Sequence, residues 1–219
     1  MAEITAALVG KLRAMTNAGL MDCKKALTES NGELEAAVDL LRKKGIATAA
    51  KRAGREAREG VIAQHIQTGA RVGTLVEVNC ETDFVAKNEV FGTFCNEIAK
   101  TLTENPNVDL EATRAAQVAK MGENIQITRH QRLEVSGNGL VAAYIHTGAK
   151  VGVLVEVGAG KEATVANEEF KQLARDITLQ IAAANPTSVS REEVDAALIE
   201  REKAIATDQV KDKPAHAIT

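Results

Sequence analysis

Cys80 and Asp83, in the stretch Asn79-Cys80-Glu81-Thr82-Asp83-Phe84-Val85-Ala86-Lys87, are the residues here that come nearest to a nucleophile with an acidic neighbour. A thiol attacks as the thiolate, and generating one requires an imidazole or other cation beside it. No His neighbours Cys80, and a cysteine that ends an apolar strand, here Val72-Gly73-Thr74-Leu75-Val76-Glu77-Val78, is expected to be inert and buried. Patterns for phosphate loops, dinucleotide folds, zinc proteases and serine hydrolases (GxxxxGK[ST], GxGxxG after a strand, HExxH, GxSxG) are all missing. Three widely spaced cysteines with no CxxC pair, and four histidines away from them, suggest neither a disulfide framework nor a zinc site. No catalytic residue, metal or cofactor is therefore expected. A reduced, cytoplasmic setting fits, and a binding protein is the better class.

Asp83-Phe84 offers a different chemistry. A Phe in a polar strand-to-helix connection has no obvious core to enter, and a phenyl group buries ~150–250 Å² in a partner pocket. Phe84 is either such an anchor or a plug for a local gap. Aromatic residues make up only 2% of the 219-residue chain, too few for stacking platforms on single-stranded nucleic acid. The net charge of −3 gives no global attraction to nucleic acid either; only Arg42 to Arg58, with seven Lys/Arg against one Glu, is locally basic. The first twenty residues carry Glu3, Lys11 and Arg13 on a helical period, unlike a signal peptide, and no apolar run approaches the ~20 residues of a membrane span.

The elements that must position this stretch divide by texture. Ile4, Leu8, Leu12 and Met15 predict one face of a helix over 4–15. A second helix starting near Asp22 would bury Cys23, Ala26 and Leu27. A third, with Asn31 as N-cap, Leu34, Val38 and Leu41 inward and Gly45 as its stop, completes a bundle over 1–46. Leu20 and Met21 stand side by side before the second helix, exposed for a partner or packed through loop curvature. Residues 47–60 read as a basic, partly helical linker, and from Gly60 β-branched runs take over.

An internal repeat organises the remainder. Residues 66–78 recur as 145–157 at an offset of 79, differing only at Gln67/His146, Arg71/Lys150 and Thr74/Val153. Each copy predicts a β-hairpin around Thr-Gly-Ala-Arg/Lys and then a packed helix, with Asn88-Glu89, Phe91 and Ile98 matching Asn167-Glu168, Phe170 and Ile177, and Pro106 and Pro186 near the helix ends. Gly122 to Arg129 alternates as a further strand would, after a helix closing over 118–121. The fold expected is α+β: a three-helix domain over 1–46, core subdomains over 61–139 and 140–190, then a helix and a fraying tail over 191–219. The second copy acts as an internal control. Phe91 and Phe94 match Phe170 and Leu173, as core residues should, whereas Phe84 matches Ala163, so the fold does not require an aromatic there.

Three stretches carry a resemblance. Leu12-Arg13-Ala14-Met15-Thr16-Asn17-Ala18-Gly19-Leu20-Met21-Asp22-Cys23-Lys24-Lys25-Ala26-Leu27 resembles the N-terminal signature of the elongation factor Ts family. Glu77 to Ala86 resembles its second signature, and Gly122-Glu123-Asn124-Ile125 with Arg129 a third. The resemblance implies a guanine nucleotide exchange factor for elongation factor Tu, acting without membrane or direct nucleic-acid binding. It implies a ubiquitin-associated-like N-terminal bundle that docks through Arg13, Leu20, Met21 and Lys24. It further implies that Thr82, Asp83, Phe84 and Val85 disturb the partner's magnesium site, and that Met121, Gly122 and His146 make other partner contacts. The family's usual Thr-Gly-Ala-Gly loop is Thr16-Asn17-Ala18-Gly19 here, a position where Asn tolerates positive φ. Relatives commonly continue into a helical hairpin where this sequence reaches Thr219, so a shortened form is expected. The competing reading is a protein that holds the GTPase without accelerating nucleotide release.

Overall fold

The computed structural model describes residues 3–16 and 18–211. Asn17 and the expected fraying tail around Asp212, Lys213 and Pro214 lie outside them. Helices α1 (Ala6–Thr16), α2 (Leu20–Glu29) and α3 (Leu34–Arg52) bury Val9, Leu12, Cys23, Ala26, Leu27 and Ala37 in one cluster. Met15, expected on the inner face of α1, is instead 58% exposed. At ~100° per residue, positions three before and three after Leu12 point to opposite sides of it, and the bundle covers the Val9 side. Asn31 is not the N-cap of α3. It and Gly32 adopt positive φ (52° and 90°) in the turn, and Glu33 takes the cap position. Asp22 lies inside the first turn of α2, which starts at Leu20, and pairs with Lys44 at 2.5 Å.

Gly45 does not stop α3 either. The helix runs on to Arg52, so only residues 53–58 separate it from the first strand, in place of a linker over 47–60. Gly45 is buried because α3 crosses α6 (Glu111–Met121) there; a methyl group on it would lie 3.6 Å from the Ala115 carbonyl oxygen, an ordinary contact. Mid-helix glycine costs ~0.5–1 kcal/mol relative to alanine. Gly45→Ala should therefore raise the melting temperature, whereas Gly45→Leu should lower it by prising the helices apart; a lower melting temperature for the alanine variant would show that the crossing has no room for a methyl.

Strands β1 (Glu59–Ile66), β2 (Val72–Cys80) and β3 (Gln126–Glu134) form an antiparallel sheet with β2 in the centre. The strand expected from Gly122 starts only at Gln126, since Gly122 adopts φ 77° and closes α6. Helix α5 (Glu89–Glu104) lays Phe91, Phe94, Cys95, Ile98 and Leu102 onto β1 and β2, and Ala49 of α3 with Ala115 and Val118 of α6 joins the same core.

Strands β4 (Gly139–Ile145) and β5 (Gly152–Gly158) pair as a second, two-stranded sheet, followed by α7 (Glu162–Ala166) and α8 (Glu168–Ala184). Its core is smaller: Leu140, Ala142 and Ala174 are buried, and Phe170 is only partly so. The β1–β2 and β4–β5 hairpins turn alike, with Gly69 and Gly148 both at φ 88° and Ala70 and Ala149 at 53° and 54°. A left-handed alanine costs roughly 1–2 kcal/mol. Here it aims a carbonyl across to the other hairpin: Ala149 accepts from the Ile62 amide at 2.8 Å and Ala70 from the Val141 amide at 2.7 Å. The hairpins cross closely at Gly73 and Gly152, where an added methyl would meet Val141 Cγ1 and Ile62 Cγ2, each at 2.7 Å. Every one of these contacts has its counterpart 79 residues away.

The chain divides into two compact units, 1–182 and 183 onward. In the second, a 3-10 turn (Arg191–Glu193) precedes α9 (Ala196–Val210), whose N-cap Asp195 accepts from the Ala197 amide at 2.7 Å. Among the described residues no helix is long and apolar enough to cross a membrane.

Candidate functional site

Where β2 ends, the chain makes a single helical turn, α4 (Asp83–Ala86), before α5 begins. Thr82 is extended (φ −123°, ψ 155°) and caps the turn, its hydroxyl accepting from the Val85 amide at 3.3 Å. Asn88 caps α5 immediately afterwards, accepting from the Val90 amide at 2.8 Å. Between the two caps Phe84 projects with 83% of its surface exposed, which disposes of the gap-plug reading. Val85 and Ala86 face the other way, onto the Phe91 core. Lys87 lies 2.7 Å from Asp83, and its hydrogen bond holds the Asp83 carboxyl below the ordinary carboxylate range. Beneath the turn Cys80 is buried and donates to the Thr82 carbonyl at 3.2 Å. Burial, with Glu123 adding to it, pushes the thiol up to about 11, which disfavours the thiolate.

The turn is held from outside by the loop that follows α6. The Glu123 carboxylate accepts through Oε2 from the Glu81 and Thr82 amides, at 3.1 and 3.0 Å, and through Oε1 from the Thr82 hydroxyl at 2.6 Å. Glu81 answers in the opposite direction, its Oε1 accepting from the Asn124 amide at 2.6 Å. Arg52, the last residue of α3, and Arg55, in the connection after it, fasten the same loop. The Arg52 guanidinium donates to the Gly122 carbonyl, and the Arg55 carbonyl accepts from Asn124 Nδ2 at 2.7 Å. Arg55 also pairs with Glu81 at 3.5 Å. Much of the basic stretch 42–58 is thus committed within the protein, Arg58 to Glu56 and Lys44 to Asp22 included.

Of the residues singled out from sequence, Thr82, Asp83, Phe84 and Val85 share the turn, and Met121 and Gly122 lead directly into the loop that clamps it. Arg13, Leu20, Met21 and Lys24 belong to the three-helix bundle and are all exposed, Leu20 to 54% and Met21 to 62%. Leu20 and Met21 stand in the first turn of α2, where ~100° per residue cannot turn both inward. His146 is exposed at the β4–β5 turn, its Nδ1 2.9 Å from the Tyr144 hydroxyl. Among the described residues no hydrogen bond or ion pair joins His146 to Thr82–Val85. Glu81, Glu123 and Asn124, with Arg52 and Arg55, were not legible as a group: the sequence marks the Gly122–Ile125 stretch but not what it touches.

At the corresponding place in the other hairpin unit, α7 keeps the one-turn helix, and Asn167 accepts from the Glu169 amide at 2.7 Å as Asn88 does from Val90, but the Thr82 cap and the phenyl group are gone. Lys161 stands where Thr82 does, with no side-chain cap, and Ala163 occupies the position of Phe84.

Fold and site together define an α+β protein, with two antiparallel sheets among the described residues, that presents an exposed phenyl group on a clamped one-turn helix. The family model described as elongation factor TS matches residues 81–219. Elongation factor Ts of Symbiobacterium thermophilum is 47% identical over 95% of this chain and 71% of its own length. Those of Nostoc sp. and Nautilia profundicola are 43% and 46% identical, with 98% and 96% of this chain and 74% and 72% of the relatives covered. The chain belongs to the elongation factor Ts family.

Proposed function

We propose that this protein is a guanine nucleotide exchange factor that binds elongation factor Tu and promotes GDP release in translation elongation. The observation that carries the reading is Phe84: a large apolar side chain left in solvent on a turn whose backbone is fixed, at a position where the equivalent turn has alanine. In this reading Phe84 wedges between side chains of the partner's nucleotide-binding domain, with Asp83 as its polar companion and Thr82 and Val85 as flanks. The magnesium site is disturbed and GDP, its phosphate charges less neutralised, leaves faster. Arg13, Leu20, Met21 and Lys24 dock a ubiquitin-associated-like bundle on the same partner, and Met121, Gly122 and His146 add contacts from a core built by duplication.

Exchange of this kind needs no catalytic group on the factor. Tighter binding to the nucleotide-free partner than to its GDP-bound form requires, by linkage, that GDP binding weaken by the same ratio. Release of a fluorescent GDP analogue from elongation factor Tu should accelerate as this 219-residue chain is added. A stable complex with unchanged GDP release would favour a protein that merely holds the GTPase.

A further inference from the structure

We infer that Glu123 is a positioning residue for exchange: its carboxylate fixes the Thr82 turn so that Phe84 is presented in the conformation the partner accepts. The inference rests on the exchange reading. Phe84 is 83% exposed, so packing of its own ring holds it scarcely at all. The direction in which the ring projects is set by the backbone of α4, and a four-residue helix is too short to hold itself.

Its stability must come from Val85 and Ala86 packing on the Phe91 core and from its caps. Glu123 binds the Glu81 and Thr82 amides and accepts from the Thr82 hydroxyl. That last bond orients the hydroxyl so that a lone pair faces the Val85 amide, and one carboxylate thereby orders three successive anchor points of the turn. Hydrogen bonds to a charged acceptor are about twice as strong as neutral ones. The α7 turn supplies the control. It has no side-chain cap and no exposed aromatic, so the fold can make the turn without the fittings. The clamp accompanies the phenyl group rather than the architecture.

A loosened turn lowers the fraction of molecules able to engage, and the apparent strength of a contact falls by that fraction. Glu123→Ala should lower the saturating rate of GDP release roughly tenfold while leaving the concentration for half-saturation much less changed, since the three-helix bundle still docks. Glu123→Gln keeps an acceptor at the site and should recover part of the loss. In a Phe84→Ala background, Glu123→Ala should cost nothing further in rate or in binding to the GTPase, because its effect passes through the ring. Amide exchange at Glu81 and Thr82, followed by NMR, should quicken most in Glu123→Ala, less in Glu123→Gln and not in Phe84→Ala. Should the unaltered chain fail to accelerate GDP release, the exchange reading falls with the inference. An active chain whose Glu123→Ala variant reaches the same saturating rate overturns the positioning role by itself, as does an equal loss in the presence and absence of Phe84.

Discussion

Phe84→Ala is expected to cut the acceleration of GDP release by roughly 30-fold or more, the worth of a 2 kcal/mol interface anchor, while leaving the melting temperature almost unchanged. The two halves of this expectation come from one fact. A side chain 83% in solvent contributes little to folding, and surface substitutions of this kind stay within about 0.5 kcal/mol. The same exposure means that nearly all of the ring's apolar area is available for burial against a partner. Stopped-flow release of labelled GDP, with thermal unfolding measured on the same preparations, checks both. Equal acceleration by the two proteins would remove Phe84 from the mechanism. A large fall in melting temperature would show instead that the ring has a structural task.

The contrast between Phe84 and Phe91 was legible in the sequence because the chain carries its own control. Phe91 has Phe170 as its counterpart and lies at 0% exposure, and Phe84 has Ala163 and lies in solvent. Local pattern also placed the hairpins, the α5 and α8 helices and their ends before Pro106 and Pro186. It failed where a tertiary contact overrides a local signal. Gly45 has the form of a helix stop, yet the α6 helix packs against it and the helix continues; Asn31 has the form of an N-cap, yet the chain needs it in a left-handed turn. The clamp was out of reach for a related reason. Glu123 and Thr82 are 41 residues apart, and nothing in the spacing of polar residues says that a carboxylate after α6 will close on amides at the end of β2. The reciprocal hydrogen bonds between hairpins are not legible in the sequence either, because backbone amides leave no residue-type signal.

Loss of the ring at position 91 should have the largest effect on stability. Phe91→Ala is expected to destabilise the protein by about 3–5 kcal/mol, the usual cost of removing a fully buried aromatic from a core that can only partly collapse. Phe91 belongs to the cluster that joins α5 to β1 and β2, and its ring lies 6.4 Å from that of Phe94, so the cavity would open against a second aromatic. Phe170→Ala makes the comparison informative. Its ring is only partly buried, beside Leu140, Ala142 and Ala174, and the same deletion there should cost markedly less. The chain has no Trp and one Tyr, so urea unfolding is best followed by far-ultraviolet circular dichroism. A loss of several kcal/mol is a large share of the ~5–15 kcal/mol that holds a typical domain together. The Phe91 variant should therefore lose exchange activity on mild warming, in step with the fraction unfolded, whereas Phe84→Ala should be deficient at every temperature. Equal costs at positions 91 and 170 would mean that the second core is as tightly packed as the first, against the partial exposure of Phe170. The turn bearing Phe84 lies between β2 and the first turn of α5, so the first core is what gives its clamp something rigid to pull against.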